Sequence, residues 1–217
     1  MLKWALWTPL PTMQVTGSKH PTNHENVSTR LMLSGHDFLM ATSAVENLDG
    51  DAALNLTVSI DSAKTVLVPA ELYTSEMAEG YLAVNDKAAG EGEKCVAAVA
   101  AGIVAVMAVD ERIVRLLGSN PLWRVTYTSP LLEGVVSYTR AVRVTLTADN
   151  THIVVSDHGK LLYAEVFATT EPDNILFVMT KLCEIMSIAN FETRVAGPEA
   201  QAVATMLAEV MTDCKAV

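Results

Sequence analysis

The stretch that decides the fold is the closing third of the chain, residues 143–211, which opens with RVTLTADNTHIVVSDHGKLLYAEVF. Its first residues alternate between apolar and polar side chains, which is the period of a half-buried strand. Two more strands, over residues 151–156 and 161–167, follow turns that contain Asp, Asn and Gly. Helical spacing over residues 171–188 and 199–211 completes the order. Three antiparallel strands followed by alternating helix and strand predict an α/β unit, but this order names no reaction.

The composition is that of a folded, acidic protein. Of the 217 residues, 50% are apolar, and the formal net charge is −10. The apolar fraction supports a substantial core, and the length fits one large domain or two small ones. An acidic surface disfavours nonspecific binding to nucleic acid and to anionic membranes. We therefore expect no nucleic-acid partner.

Cysteine usage and hydropathy indicate a cellular compartment. Cys95, Cys183 and Cys214 are scattered and form no CxxC pair, which argues against a disulfide framework and against a zinc site. A reducing, cytoplasmic location is the simplest interpretation. The longest apolar run, residues 95–109, is shorter than the roughly 20 residues that cross a bilayer. We expect no membrane span and interpret this run as two strands that turn near Gly102.

The earlier part of the chain predicts further elements. Residues 1–27 read as an N-terminal arm or loop, because most of them are polar or turn-forming. Residues 29–33 and 38–44 are interpreted as the two strands of a hairpin. The other predicted elements are strands over 54–60, 65–68 and 123–127, one or two short helices over 70–84, and helices over 110–117 and 130–138. No strand is expected after the last helix, because residues 212–217 are few and polar.

A short internal similarity suggests a duplication. The segment RLMLS (residues 30–34) resembles RVTLT (residues 143–147), and a predicted hairpin follows each of them. Internal similarity of this kind is a sign of repeated structural units. It suggests two related halves that meet near residues 139–140.

Two longer blocks resemble a known family. One block is LTVSIDSAKTVLVPAELY (residues 56–73) followed by AEGYL (78–82), and the other is GKLLYAEVF (159–167) followed by EPDNILF (171–177). Both are similar to blocks of an uncharacterised bacterial family, known as a domain of unknown function, over about residues 29–197. The resemblance implies the actin-like ATPase fold, in which two ribonuclease H-like halves face each other. It implies no established activity.

The resemblance also implies a fold class and a division of the chain. The class is α/β (α+β), with two ribonuclease H-like βββαβα units in an actin-like ATPase arrangement. The first unit would span residues 28–139 and the second residues 140–217. Only about ten residues separate the second predicted strand from Asn55, where this fold places a third strand and a helix. We therefore expect the first unit to be abbreviated.

Members of this wider superfamily that use ATP hold its phosphates with two hairpin turns, one in each half. Glycine lets backbone N–H groups approach the phosphates, and a carboxylate holds Mg²⁺ through water. If a nucleotide binds here, the resemblance implies that Gly35, Asp37, Asp149 and Asn150 bind it. The turn at residues 148–151 contains no glycine, which argues against a close phosphate wrap. Ordinary hairpin turns use the same residue types, and we favour that interpretation.

The remaining motifs are weak. The sequence contains no phosphate-binding P-loop, no GxGxxG and no GxSxG nucleophile elbow. His20 and His24 have the i, i+4 spacing of metal ligands, but Pro21 and Asn23 disfavour the helix that this would need. A cluster of His152 and His158 with Asp149 and Asp157 is a second candidate, and polar residues at strand ends are the favoured interpretation. Four methionines could form an adaptable partner surface, but core packing is favoured for them: Met179, Met186, Met206 and Met211.

These observations favour a non-catalytic binding or scaffolding protein that has a protein partner, no catalytic residues, no metal site and no cofactor. The alternative is an actin-like ATPase or nucleotide-dependent switch that binds ATP and Mg²⁺ between the halves. A third possibility, by analogy of fold alone, is a subunit of a larger assembly machine. An open polar cleft lined by Asp37 and Asp149 would support the nucleotide hypothesis, and a closed apolar junction would count against it.

Overall fold

The computed structural model describes residues 27–133, 135 and 139–217. The predicted N-terminal arm, apart from Val27, therefore lies outside the described residues, and so do His20 and His24. The elements of the first half are β1 (Val27–Ser34), α1 (Phe38–Glu46), β2 (Leu54–Asp61), β3 (Thr65–Pro69), a 3-10 helix (Ser75–Met77), α2 (Ala78–Ala83), β4 (Glu93–Ala100), β5 (Ile103–Asp110), α3 (Glu111–Leu117), β6 (Trp123–Thr128) and α4 (Pro130–Glu133).

The second half contains one five-stranded sheet with two helices. Its elements are β7 (Ala141–Leu146), β8 (Thr151–Asp157), β9 (Lys160–Phe167), α5 (Pro172–Met186), β10 (Glu192–Ala196), α6 (Ala200–Leu207) and β11 (Asp213–Ala216). The strand order is β11-β10-β7-β8-β9, with β7, β8 and β9 antiparallel and with β10 and β11 parallel to β7. The predicted sequence of three strands, helix, strand and helix is confirmed for this half.

The prediction that no strand follows the last helix is wrong. β11 pairs in parallel with β10, and Cys214 lies beside Thr193 in the register. The N–H of Val217 also donates to the carbonyl of Val195 at 2.9 Å. A short, polar strand of this kind is stabilised by backbone pairing at the edge of an existing sheet rather than by its own hydrophobic pattern. The second unit is therefore longer by one strand than expected.

Helices α5 and α6 cover one face of this sheet. Ile175, Met179 and Leu182 of α5 pack in one apolar core with Val144 of β7 and Leu207 of α6. The side chains of Met179 and Met211 are buried in that core, which agrees with core packing rather than a partner surface for these two methionines.

Helix α5 begins at Pro172 without a capping box. The N-cap residue is Glu171, and its side chain makes no capping hydrogen bond. Instead, the hydroxyl of Thr169 accepts a hydrogen bond from the N–H of Glu171 at 3.2 Å. Pro172 occupies the first turn, where its missing N–H removes no hydrogen bond of the helix.

The predicted hairpin over residues 29–44 is also wrong, because residues 38–44 belong to helix α1. The Asp37 carboxylate caps this helix by accepting a hydrogen bond from the N–H of Met40 at 2.9 Å. Ala41 and Val45 share the buried face at i, i+4 spacing. β1 consequently pairs in parallel with β2, and the three strands β1-β2-β6 form an all-parallel sheet.

A second, antiparallel sheet of order β3-β5-β4 completes the first half. The predicted pair of strands that turns near Gly102 is confirmed, and so is the helix predicted over residues 110–117. In the structure, Asp110 caps this helix and Gly118 follows its last residue. Helix α4 (Pro130–Glu133) agrees with the start of the helix predicted over residues 130–138, and residues 134 and 136–138 of that prediction lie outside the described part of the chain.

The two halves share a core. Leu56, Val58 and Ile60 of β2 belong to the same apolar cluster as Val154 of β8 and Val166 of β9. The large sheet therefore has α5 and α6 on one face and the first half on the other. The predicted α/β class is confirmed. The first half is abbreviated in a different place from the one expected, since helix α1 is present but no described antiparallel strand lies beside β1.

Candidate functional site

An open cleft of about 770 Å³ lies between the halves, close to the carboxyl end of β1 and to the β7–β8 turn. Three of the four residues that the sequence associates with a nucleotide line this cleft: Asp37, Asp149 and Asn150. The fourth, Gly35, lies between the lining residues Ser34 and His36. The junction therefore combines a shared apolar core with an open, partly polar cleft.

Gly35 is held tightly at the end of β1. Its N–H donates to the carbonyl of Asp61 at 2.7 Å, and its own carbonyl accepts from the N–H of Asp110 at 2.8 Å. A Cβ atom at this position would lie 3.2 Å from Cβ of Ser62 and 3.4 Å from the carbonyl oxygen of Ala108. The close approach of three strand ends therefore explains why a glycine stands here.

The charged groups around the first turn are already engaged with one another. Asp37 caps α1, and Nδ1 of His36 lies 3.2 Å from a carboxylate oxygen of Glu93. The guanidinium of Arg112 donates to both oxygens of Asp110 and lies 4.8 Å from the centre of the Phe38 ring. The hydrogen bond from Arg112 lowers the pKa of Asp110, so this pair stays ionised at neutral pH.

The second turn closes on itself. The N–H of Thr147 donates to the carbonyl of Asn150 at 2.9 Å, and the N–H of Asn150 donates to the hydroxyl of Thr147 at 3.0 Å. Asp149, between them, is exposed at the cleft. The backbone of this turn is therefore arranged for hairpin closure.

A buried carboxylate lies behind the cleft, where the two halves meet. Asp61, at the end of β2, is 3% exposed. It accepts a hydrogen bond from Nδ2 of Asn150 at 2.9 Å, and Nε2 of His152 lies 2.8 Å from the same oxygen. We call these three residues the junction cluster. Sequence reasoning missed Asp61, and the available signal was an acidic residue that ends an otherwise buried strand.

Burial alone would raise the pKa of Asp61, because desolvation disfavours the charged form. The hydrogen bond and the charge of His152 act in the opposite direction, together with hydrogen bonds from Thr147 and Asn150, and the pKa is lowered overall. Asp61 is therefore an ionised, buried group. Nδ1 of His152 has no hydrogen-bond partner among the described residues.

The proposed cluster of His152, His158, Asp149 and Asp157 divides into separate sites. His152 is the second residue of β8 and His158 follows the strand's last residue, so the two lie about 20 Å apart by the rise of an extended strand. His152 is buried against Asp61, while His158 is exposed and pairs with Asp157. The interpretation favoured from the sequence, an ordinary polar residue at a strand end, therefore holds for His158. His152 instead belongs to the junction cluster with Asp61.

Two further ion-pair groups join the halves. Glu133 of α4 accepts from Arg30 of β1 at 2.5 Å and from Arg143 of β7 at 3.0 Å. Lys87 pairs with Glu165 of β9. Arg30 and Arg143 open the two similar segments of the sequence, so the internal similarity corresponds to two strands that pair with one carboxylate.

The described residues contain no group of three or more His, Cys, Asp and Glu side chains arranged to hold a metal ion. All three cysteines are free, and burial raises the pKa of each thiol: Cys95, Cys183 and Cys214. A raised pKa keeps a thiol protonated and disfavours nucleophilic chemistry.

Within the described range, every helix is too short or too polar to span a bilayer.

Comparisons with known proteins agree with this architecture. A family described as "Protein of unknown function (DUF3822)" matches residues 54–196. No curated protein matches the chain. A solved protein of Bacteroides thetaiotaomicron, with an actin-like ATPase fold and unknown function, is 14% identical, has a TM-score of 0.67, and is matched over 81% of this chain and 74% of its own. The PilM-PilN type IV pilus biogenesis complex gives 13% identity and a TM-score of 0.52, over 82% of this chain and 74% of the other. These likenesses confirm the predicted actin-like ATPase fold.

Proposed function

We infer the function from the cleft, because the chain belongs to a family of proteins of unknown function, DUF3822. We propose that this protein is a non-catalytic member of the actin-like ATPase fold that acts by binding a protein partner. The observation that carries the proposal is the use of the turn N–H groups within the protein itself. The N–H of Gly35 donates to the main-chain carbonyl of Asp61, and the N–H of Asn150 donates to the side-chain hydroxyl of Thr147.

A phosphate-binding turn needs backbone N–H groups that point at the ligand and have no other acceptor. In this chain, the two N–H groups at Gly35 and Asn150 already stabilise the turns. The side-chain amide of Asn150 is committed as well, since it donates to Asp61. A nucleotide would have to compete with these internal hydrogen bonds.

The charges around the cleft also favour this proposal. Asp37 and Asp149 contribute negative charge, and Arg112 is occupied by Asp110. An ATP molecule would bring several further negative charges, so binding would require added cations. The cleft contributes little positive charge of its own.

A protein partner fits the fold. The neighbour PilM, at a TM-score of 0.52, is described in a complex with PilN for type IV pilus biogenesis. By analogy of fold, the present chain would serve as a binding or assembly subunit. We place it in the cytoplasm, because all three cysteines are free thiols.

One observation favours a second candidate, a switch that binds ATP and Mg²⁺. The cleft is open and is lined by Asp37 and Asp149, one carboxylate from each half. In this alternative, the two carboxylates would hold Mg²⁺ through water, and Asn150 would exchange its contact with Asp61 for one to the nucleotide.

Thermal unfolding with and without Mg-ATP separates the two candidates. A ligand at a hundredfold excess over its Kd stabilises a protein by about 2.7 kcal/mol. For a chain of this size, that corresponds to a shift in Tm of roughly 5–11 °C. We expect no shift with Mg-ATP, either for the wild type or for Asp149→Ala. A clear shift that Asp149→Ala abolishes, and that the exposed control Asp51→Ala keeps, would refute the non-catalytic proposal.

A further inference from the structure

The first strands of the two halves occupy equivalent places. β1 is followed across its sheet by β2 and β6, and β7 is followed by β10 and β11, all in parallel. Arg30 of β1 and Arg143 of β7 both pair with Glu133. On the opposite faces of these strands, Leu33 and Val144 are buried in the apolar cores of their halves. Strand order, arginine contact and buried face therefore agree in making β1 the counterpart of β7.

The other edges of these two strands differ. β7 pairs there with antiparallel β8, with Ala141–Leu146 beside Thr151–Ser156. No described strand pairs with the corresponding edge of β1. Among the described residues, the backbone of Val27–Ser34 also makes no hydrogen bond apart from its pairing with β2. In a parallel pair, half of the N–H and C=O groups of an edge strand point away from the sheet, so this edge presents unpaired groups.

Apolar side chains accompany this free edge. Val27 and Met32 of β1 are 52% and 41% exposed. Helix α1, which packs against β1, exposes Leu39 and Met40. An edge that offers unpaired backbone groups together with apolar side chains is the kind of surface that accepts an added strand.

We propose that a protein partner adds an extended segment to the free edge of β1, antiparallel to it and paired with Ser28–Leu33. This proposal rests on the proposed protein-binding function and gives the partner its chemistry. β8 is the template for the occupant, because Ile153 and Val155 place alternate apolar side chains beside Val144 and Val142. The partner segment therefore has about six extended residues, with an apolar side chain at every second position on the face of Leu31 and Leu33.

A partner is favoured over a second copy of this chain as the occupant. Each chain carries a net charge of −10, so edge-to-edge dimers would bring two strongly acidic molecules together. The pairing would also bring together two copies of Arg30, the one charged residue of β1. A neutral extended segment meets neither repulsion.

Amide hydrogen exchange on the isolated full-length chain is the first test. We expect alternate amides of Ser28–Leu33 to exchange fast, and the amides of the matching strand β7 to be protected throughout. The proposal is refuted if every amide of Ser28–Leu33 is protected in the isolated monomer, because the chain's own residues would then cover the edge. Protection that appears together with a dimer in light scattering would assign the edge to a second copy and refute it equally.

The second test uses a phage-displayed library of random 12-residue peptides, selected on the immobilised full-length chain. We expect the selected peptides to share alternating apolar residues and to slow exchange at the amides of Ser28–Leu33. Thr29→Lys places a charge on the face that an added strand would bury, so it should weaken peptide binding at least tenfold. The control Thr126→Lys, on β6 at the opposite edge of the same sheet, should leave the affinity unchanged.

The outcomes separate this proposal from the one on which it rests. Peptides that protect another surface, or that bind Thr29→Lys and wild type equally, would refute strand addition while leaving a protein-binding function intact. A library that yields no binder would refute strand addition as well. If Thr29→Lys does not fold, the exchange map of wild type with bound peptide still decides the location. Mg-ATP binding is measured independently, by the thermal shift, so the peptide selection and the test of the proposed function can fail separately.

Discussion

The two halves begin with matching strands, β1 and β7, and then diverge. β7 continues into antiparallel β8 and β9, so its own unit pairs both of its edges. β1 continues into helix α1, and the core around β2 takes Val154 and Val166 from the other half. The buried charge of Asp61 likewise depends on Asn150 and His152 of the second half. The second half also has an apolar core formed by its own residues alone, whereas the largest core of the first half includes residues of the second. We therefore infer that the first half depends on the second for its stability.

The strongest way to break this relation is Gly197→Ala, between β10 and α6. Gly197 has a φ of +107°, and an added Cβ would lie 2.0 Å from the carbonyl oxygen of Leu146. The overlap is with backbone atoms of β7, which cannot move aside as a flexible side chain could. We therefore expect a loss of more than about 4 kcal/mol in the free energy of unfolding. Since the first half depends on the second, both should unfold in one urea transition.

Gly159→Ala is the matched control in the same half. Gly159 has a similar φ of +80°, but no atom lies within 4 Å of an added Cβ. It should cost only the backbone strain, about 1 kcal/mol. Equal effects of the two variants would show that strain, and not contact with β7, limits Gly197. A first half that stays folded in Gly197→Ala would contradict its dependence on the second.

The next largest effect is expected for Asp61→Ala in the junction cluster. Removing one member of a buried, paired set leaves the others without their partner and typically costs about 3–5 kcal/mol. Urea unfolding should show a loss in this range for Asp61→Ala. Removing the exposed turn carboxylate with Asp149→Ala should change the free energy of unfolding by less than about 0.5 kcal/mol. A loss below about 1 kcal/mol for Asp61→Ala would mean that the junction cluster does not hold the halves together.

The same carboxylate gives the junction a pH dependence. The pKa of Asp61 is lowered in the folded protein from its ordinary value of 3.8. Its contribution is therefore fully present above that value and is lost as the pH falls through the lower, folded pKa. Wild type should lose more stability between pH 5 and pH 2 than Asp61→Asn, while Asp149→Asn should follow the wild-type curve. Parallel curves for wild type and Asp61→Asn would contradict the conclusion that Asp61 has a lowered pKa in the folded protein.

The second half was predictable from sequence because its signals are local. The alternation in RVTLT and the apolar run of Ile153, Val154 and Val155 indicate the strands, and the turns between them use Asp, Asn and Gly. The helix α1 was misassigned even though its signal is also local. Asp37 is an N-cap, and Ala41 and Val45 keep helical spacing, but the run is too short for its period to be decisive.

Other features were beyond a local reading. β11 exists because β10 offers it a backbone edge, and this is a contact between distant segments. The junction cluster joins Asp61 to partners 89 and 91 residues away. Asn150 was identified as a candidate residue from its turn, but its actual contact could not be derived without the relative placement of the halves. Local sequence patterns therefore predict most helices and strands, whereas the junction cluster is set by how those elements pack against one another.

The smallest effect is expected where the two arginines meet Glu133, and a double-mutant cycle measures it. Glu133 is 18% exposed, Arg143 is 34% exposed and Arg30 is 59% exposed. The less exposed pair is screened less by solvent, so we expect a coupling energy near 1 kcal/mol for Glu133 with Arg143 and below about 0.5 kcal/mol for Glu133 with Arg30. The variants Glu133→Gln, Arg143→Met and Arg30→Met supply both cycles through urea unfolding. If Arg30 couples more strongly than Arg143, the edge strand β1 is held to α4 more firmly than its exposure indicates, and Glu133 would contribute mainly within the first half rather than to the contact between the halves.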